Sequence, residues 1–511
     1  MSEPIGENSM QGFWTFENLA ACARDGATAT WASPPIDETA LRCGAAIDAR
    51  EIKPGQVFFA LPGERVDGRS FLAQAAQNGA AMAVVSAKGL EQFEIPAGLA
   101  VLAVEDPAVS LASIAERYRR AMSGQTTVIG VTGSNGKTTT VRLIDAVMKG
   151  GHKVGTHAPK SFNNHLGLPL TLLNARPGDD YVVCEMGTSS PGEIGFLTEI
   201  AMPDVSVIVS IGRAHLEELG SVAGVAQEKA MILRTDIARF TGQTAVIPSG
   251  VPELAEALES MRRDSKLDES RMSVSTVGER GSPSRRITGV ACDDQGVSFE
   301  LWDLDRCLRY RVPLLGAHNA HNAAIAATVG ELCGVEPEQI VAGLASAPGA
   351  SMRLDRTLVP IDSGEITILN DAYNANPDST RAGVLTLASM SLSGDVVGRR
   401  VAVLGDLLEL GARSAEFHAE VVGELIEHLA GGSLDLVVLV GPCFAAAHAG
   451  VSGALAELGG GAGCLVSLPD PSDESIEAVA GLLGPGDLVL LKASRGLRLE
   501  RLMDVLGRVC R

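Results

Sequence analysis

The sequence predicts an α/β protein of three domains: a small N-terminal α/β domain, a central parallel-sheet domain and a C-terminal Rossmann-like α/β domain. Three observations carry that prediction. The chain has 511 residues, more than one hydrophobic core usually serves, and about 150 residues per domain gives roughly three. Short apolar runs alternate with helical stretches along most of it. One such run leads through a Gly-rich turn into a helical pattern near residue 130.

The first domain is expected over residues 1–104. Its short apolar runs, such as Val57-Phe58-Phe59-Ala60-Leu61, are broken by Pro54, Gly55, Pro62 and Gly63. The second is expected over 105–347. It opens with the run Thr126 to Val131, and after the turn Val141, Ile144, Val147 and Met148 recur at helical spacing. Tyr181 to Cys184 and Val205 to Ile211 read as buried parallel strands, each followed by polar residues. Residues 261–286, rich in charge and serine, are expected to form an exposed connection. The third domain is expected over 348–511, with strands at Ile366 to Leu369, Val401 to Leu404, Leu436 to Val440 and Leu488 to Leu491. The tract Gly459 to Gly463 reads as a flexible loop, and no solenoid repeat is found.

Hydrophobic residues make up 46% and charged residues 20%, the balance of an ordinary globular protein. A formal charge of -20 argues against broad binding to nucleic acid or an anionic membrane, while leaving room for a local basic phosphate pocket. The nine cysteines are scattered, with no C-x-x-C pair, so reduced thiols in cytoplasm are expected. The opening MSEPIGENSM lacks the basic and apolar regions of a signal peptide, and no run of about 18 apolar residues suggests a membrane span.

Gly130-Val131-Thr132-Gly133-Ser134-Asn135-Gly136-Lys137-Thr138-Thr139 lies between strand and helix, the context of a phosphate loop. Glycines let successive N–H groups face phosphate oxygens, and the helix start adds partial positive charge. Lys137 adds a full charge, and the Thr138 hydroxyl can ligate Mg²⁺. The strict spacing would place glycine at 131, where this chain has valine, so the loop is a variant. ATP or GTP binding is the strongest inference from the residues alone, and the central domain is expected to be P-loop ATPase-like.

Glu185 and His215 follow strands of the same presumed sheet, at the carboxyl edge where α/β proteins bind ligands. A carboxylate and an imidazole there could hold Mg²⁺ against the terminal phosphate of ATP. An isolated Glu or His is more often simply solvated, but both share an edge with the phosphate loop.

The string Gly133 to Thr139 resembles the ATP loop of the Mur ligases, which extend the peptide on UDP-N-acetylmuramic acid. Glu185 to Ile194 and Ala214-His215-Leu216-Glu217 are similar to the branch that adds D-alanyl-D-alanine, as is Ser161 to Thr171, with Asn163 and Asn164. An asparagine-stabilised loop before a helix is the other reading of that last segment. The most branch-specific string is Asn370-Asp371-Ala372-Tyr373-Asn374-Ala375-Asn376-Pro377-Asp378-Ser379. Further resemblance lies in Leu404 to Gly411 with His418 downstream, in Lys492-Ala493-Ser494-Arg495-Gly496, and in Gly316 to Asn322. Near the N-terminus, Asp48-Ala49-Arg50 and Phe59 to Gly68 look like segments that recognise the UDP-sugar end. The resemblance spans nearly the whole chain.

What it implies is an ADP-forming, ATP-dependent carboxylate–amine ligase of cell-wall peptidoglycan synthesis. The enzyme would join D-alanyl-D-alanine to a UDP-N-acetylmuramoyl tripeptide through an acyl phosphate. ATP would contact Gly133 to Thr139, Asn319, Asn322, Arg353 and Asp371. Mg²⁺ would be held by Thr138, Glu185 and His215, and the precursor or acceptor by Asp48, Arg50, Asn163, Asn164, Tyr373, Asn374 and Asn376. Lys137, His215 and Lys229 would be catalytic. Lys229, 14 residues after His215, is implied to be N-carboxylated, whereas pattern alone reads it as a solvated helix lysine. A cytoplasmic monomer acting on small molecules is expected. Departures from the family are Ala49 for serine, Asn370 for aspartate, Met352 for glycine before Arg353, and Ala493 for glycine. Other readings are a different Mur-type ligase, a folate polyglutamylating enzyme, or a P-loop nucleotide switch.

Overall fold

A computed structural model describes residues 10–23, 29–63, 65–159, 161–237, 243–361, 364–392, 398–457 and 465–509. The extreme N-terminus and the Gly459 to Gly463 tract lie outside the described residues, as do Cys464 and Cys510. Three sheets appear in chain order, each an α/β layer.

The first sheet holds β1 (Thr30–Ser33), β2 (Ala45–Ala46), β3 (Val57–Ala60), β4 (Met82–Ser86) and β5 (Ala100–Val104), in the order β1-β5-β4-β3-β2. Only β1 runs antiparallel. Strands β3 and β5 are buried along their whole length, which explains their unbroken apolar runs. The helix Pro107–Ala121 follows, capped by Asp106, and buries Leu111, Ile114 and Tyr118. Those residues share one apolar cluster with Val57 and Val84 of the first sheet and Val128 and Val182 of the next. The first two sheets are therefore joined through a common core.

The second sheet contains β6 (Thr127–Thr132), β7 (Gly155–His157), β8 (Tyr181–Glu185), β9 (Val205–Ile208), β10 (Gln243–Pro248), β11 (Met272–Gly278), β12 (Arg285–Asp293), β13 (Gly296–Asp303) and β14 (Arg306–Val312). Its order is β14-β13-β12-β11-β10-β9-β6-β8-β7, parallel from β7 to β12 and antiparallel beyond. The chain crosses from β6 to neighbours on both sides, so a crevice opens at the carboxyl ends of β6, β8 and β9. Strand β11 corrects the expectation of an exposed connection over 261–286. Charged residues there do end the helix Pro252–Arg263, but Met272 to Gly278 pairs in parallel with β10 and buries Val277. Serines masked the β-branched Val274, Thr276 and Val277 that suit a strand.

The third sheet comprises β15 (Asp355–Ile361), β16 (Gly364–Asn370), β17 (Arg400–Gly405), β18 (Leu436–Val440), β19 (Leu465–Leu468) and β20 (Leu488–Lys492), in the order β15-β16-β20-β17-β18-β19. All pairs but β15–β16 are parallel, and helices cover both faces. Leu216 and Leu219, just after His215, pack in the core of this sheet beside Leu410 and Phe417. That contact brings the carboxyl edges of the second and third sheets face to face.

Candidate active site

The facing edges enclose a cleft of about 840 Å³. One wall is the phosphate loop. Thr132 ends β6, the chain turns through Gly133 and Gly136, and the helix Lys137–Gly150 begins with Gly136 as its N-cap. Gly136 has φ +82°, and a Cβ there would lie 2.5 Å from Asn322 Oδ1, so the position requires glycine twice over. The loop is pinned from behind. Ser134 N donates to Ser210 O (2.9 Å), Asn135 N donates to Ser210 Oγ (2.9 Å), and Gly212 N donates to Ser134 Oγ (2.9 Å).

Lys137 Nζ donates to Gly133 O at 2.8 Å, which folds the side chain back over the loop. Surrounding protein lowers its pKa by desolvation, and the Glu185 charge pulls the other way. Thr138 is buried, and its hydroxyl donates to Glu185 Oε2 (2.7 Å) while accepting from an Arg353 guanidinium N–H (2.8 Å). Asn163 Nδ2 donates to the other Glu185 oxygen at 2.9 Å. Glu185 is 1% exposed and forms no ion pair among the described residues. A buried carboxylate facing a hydroxyl and a phosphate loop, near Lys137 but in no direct ion pair with it, is a donor set that suits a hard divalent cation.

His215 stands across the cleft with φ +55°, starting the turn Leu216–Leu219. Its Nδ1 lies 2.6 Å from Glu409 Oε2 of the third domain, and that contact lowers the Glu409 pKa. Asn319 and Asn322 open the helix His318–Leu332, linked by Asn322 Nδ2 donating to Asn319 Oδ1 at 2.8 Å. From the third domain, Arg353 stacks over the Tyr373 ring at 4.3 Å, and Asn376 Nδ2 donates to Asn135 Oδ1 at 2.8 Å. Asp371, at the end of β16, accepts from Lys492 Nζ at 2.5 Å, and Lys492 also donates to Asn374 O. Asn164 and Thr139 line the cleft as well.

Lys229 does not line the cleft. It lies on the helix Val222–Ala230 with 0% exposure, and its Nζ has no hydrogen-bond partner among the described residues. Desolvation holds its pKa well below the ordinary value, assisted by repulsion from Lys137. The reading as a solvated helix lysine is therefore wrong: the amine is buried, and its surroundings disfavour the charged form. Asp48 and Arg50 also lie outside the cleft, on the first domain, where they pair with each other at 2.7 Å and Arg50 is 76% exposed.

Sequence reasoning assigned no role to Lys492, Glu409 or Asp378, which line the cleft, or to Arg213, which pairs with Asp378 beside it. Lys492 could have been found by the rule that singled out Glu185, since both terminate a buried parallel strand. Asp406, His418 and Cys443 form a compact group with metal-ligand character. Its capacity is already spent: Asp406 accepts from Cys443 N and Phe444 N, and the His418 ring contacts Leu407 N and Ser414 O.

Three segments of the chain match domains of one family: the Mur ligase family, catalytic domain over residues 44–119, the Mur ligase middle domain over 131–330, and the Mur ligase, glutamate ligase domain over 352–495. A UDP-N-acetylmuramoyl-tripeptide--D-alanyl-D-alanine ligase of Bacillus subtilis (strain 168) is 34% identical over 489 residues, covering 96% of this chain and 97% of that one. A protein of the same name from Escherichia coli (strain K12) is 32% identical, covering 77% and 80%. Among solved structures, MurF from Acinetobacter baumannii superposes with a TM-score of 0.76 at 29% identity, covering 97% of this chain and 99% of that one. MurF ligase from Thermotoga maritima in complex with ADP gives 0.69 at 26% identity, covering 91% and 97%.

Proposed function

The chain belongs to the Mur ligase family, and we propose that it joins D-alanyl-D-alanine to a UDP-N-acetylmuramoyl tripeptide with ATP cleavage to ADP and phosphate. It is an ATP-dependent ligase of peptidoglycan precursor synthesis. The observation that carries the reading is the single cleft in which a phosphate loop and the Asp371 to Ser379 segment of the third domain face each other. A nucleotide switch needs only the first of these walls.

In this reading the terminal carboxylate of the tripeptide attacks the γ-phosphorus of ATP, the bond to the β-phosphate oxygen breaks, and an acyl phosphate forms. The D-alanyl-D-alanine amine then adds to the acyl carbon, loses a proton, and phosphate leaves. Lys137 and the loop N–H groups would neutralise charge on the transferred phosphoryl group, which is most of what catalysis of phosphoryl transfer requires. Mg²⁺ held by Thr138 and Glu185, with His215 opposite, would supply further positive charge there. Arg353 would brace the Thr138 hydroxyl while stacked on Tyr373. Asn163 would orient Glu185, and Asn164, Asn374 and Asn376 offer amides to the peptide ends. Asn319 and Asn322 would border the nucleotide. Asp371, already engaged by Lys492, would serve to place that ammonium rather than to take a proton.

Lys229 fits carboxylation. Burial and the nearby Lys137 disfavour the ammonium form, and an unprotonated amine without a partner can add to CO₂, forming an N–C bond and releasing a proton; the resulting anion would be attracted to Lys137 where an ammonium would be repelled. Asp48 and Arg50 are assigned to the UDP end. Their position outside the cleft suits a substrate whose nucleotide and reacting carboxylate lie at opposite ends. We read the enzyme as a cytoplasmic monomer: the described cysteines are free thiols, no described helix is long and apolar enough to cross a membrane, and the cleft is completed within one chain.

An acceptor screen tests the branch. UDP-muramoyl di- and tripeptides are paired with single amino acids and with D-alanyl-D-alanine, and the products are weighed by mass spectrometry. Product is expected only from tripeptide and dipeptide together; amide formed from a dipeptidyl precursor and a single amino acid would place the enzyme in another branch.

A further inference from the structure

Arg213 lies in the loop after β9, where its neighbour Gly212 is tied to the phosphate loop while Arg213 itself, through both backbone N and side chain, is tied to the third domain. On one side, Gly212 N donates to Ser134 Oγ and Ser134 Oγ donates to Gly212 O. On the other, Arg213 N and Nε donate to the two oxygens of Asp378 at 2.8 and 2.9 Å. The guanidinium also spans both oxygens of Glu420 at 2.9 and 2.8 Å. It rests 5.4 Å from the centre of the Phe417 ring. Nη1 makes both contacts to Glu420 while Nε and Nη2 hold Asp378, and engaging two carboxylates at once from separate nitrogens of one rigid head is what arginine provides and lysine does not.

The charges are arranged asymmetrically. Asp378, Glu420 and Glu424 all belong to the third domain, as does Arg381, which pairs with Glu420 and Glu424. Arg213 is the cation that the middle domain contributes to this group among the described residues. Without it, Asp378, Glu420 and Glu424 would face the loop that carries the phosphate site with only third-domain arginines, Arg381 and the exposed Arg413, to balance them. The approach is close enough that a Cβ at 212 would lie 2.6 Å from Asp378 Oδ2 and would push that carboxylate out of its present place. Asp378 is also in the first turn of the helix Pro377–Ser389, whose N-cap Asn376 holds Asn135. One helix start is thus fastened to the middle domain at two points, one of them electrostatic.

We propose that Arg213 is a positioning residue that latches the third domain over the phosphate loop, and thereby keeps the acyl phosphate away from water until the amine arrives. The proposal rests on the ligase reading above. When the latch is lost, water competes with the amine: it adds at the acyl phosphate, phosphate leaves, and the original carboxylate is regenerated with ATP spent and no amide formed. The reporter is therefore the ratio of ADP to amide, which general loss of activity does not change.

The experiment measures ADP and amide together for the wild type, Arg213→Ala, Arg213→Lys, Arg213→Glu, and the charge exchange that combines Arg213→Glu with Glu420→Arg. The wild type is expected to form one amide per ADP. Arg213→Ala is expected to raise the ratio severalfold and the acceptor KM about tenfold, the scale of losing two half-exposed ion pairs, while ATP affinity in the absence of precursor changes less than about twofold. Arg213→Lys should be intermediate, and the exchange should restore part of the coupling that Arg213→Glu alone loses. Raising salt from about 0.05 M to about 0.5 M should uncouple the wild type and leave Arg213→Ala unmoved, because the pairs are partly exposed to screening. A wild-type ratio and acceptor KM in Arg213→Ala would overturn the latch. A wild type that makes no amide would instead overturn the ligase reading.

Discussion

Asn376 Nδ2 donates to Asn135 Oδ1 at 2.8 Å, joining the start of a third-domain helix to the phosphate loop. The same side chain caps its own helix, with Ser379 N donating to Asn376 Oδ1 at 2.9 Å. These two tasks separate by substitution. Asn376→Ser keeps a capping oxygen but is too short to reach Asn135, so its stability should stay within about 0.5 kcal/mol of wild type, while Asn376→Ala should lose about 1 kcal/mol. Both should lower kcat about tenfold through misalignment of the two domains. Denaturant titration and steady-state kinetics on the pair check this; unchanged kcat in Asn376→Ser would remove the contact from the catalytic arrangement.

Glu185→Gln keeps the size of the side chain but replaces one acceptor with a donor, opposite Thr138 Oγ or Asn163 Nδ2. We expect the Mg²⁺ concentration for half-maximal ligation to rise at least about tenfold, since a hard cation bound by few protein groups depends on each carboxylate. A Mg²⁺ titration at saturating ATP reads this. Lys137→Ala should abolish ligation at every Mg²⁺ concentration, as should His215→Ala. Full activity in any of these would remove that residue from the mechanism.

Gly136→Ala places a methyl against Asn322 Oδ1 at a positive φ. Expected is a loss of ATP affinity of about tenfold or more, with strain of about 1–2 kcal/mol in overall stability. Calorimetric titration with a non-hydrolysable ATP analogue measures the first and thermal unfolding the second. Wild-type affinity would show that the loop does not need its left-handed turn.

Lys229→Met substitutes an apolar chain of similar length for a buried amine. Because the folded pKa is depressed below the ordinary 10.5, the unfolded chain binds the extra proton between those two values. Stability of the uncarboxylated wild type should therefore rise with pH across that window, and the Met variant should lack this rise. At pH 7 the variant should be at least as stable as the wild type, yet its ligation should fall about 100-fold. Unfolding curves from pH 6 to about 10 with bicarbonate excluded, together with intact-mass detection of an added carboxylate, decide the matter. A Met variant with full, bicarbonate-independent activity would refute the role.

The legible part of the site was the part encoded by local pattern. Gly133 to Thr139 could be read because strand, glycines, lysine and helix follow one another in the chain, and Glu185 because it ends a buried parallel strand. Arg353 and Thr138 are 215 residues apart and Asn376 and Asn135 are 241 apart, so no local period connects them. Lys229 was misread for a related reason. Lysine as a residue type is usually exposed, and its place beside Gln227 and Glu228 suggested a solvent face; only packing from elements distant in sequence removes the water. Strand β11 was misread because serine and charge counted as loop composition, although a parallel strand seated beside β10 tolerates serines where its faces are partly exposed.

Phosphate release with each substrate omitted in turn tests the central claim most directly. Purified protein with ATP and Mg²⁺ should release little phosphate alone, with the UDP-muramoyl tripeptide alone, or with D-alanyl-D-alanine alone. With all components present it should release one phosphate for each amide formed. Substantial turnover with ATP alone, indifferent to either substrate, would contradict the account.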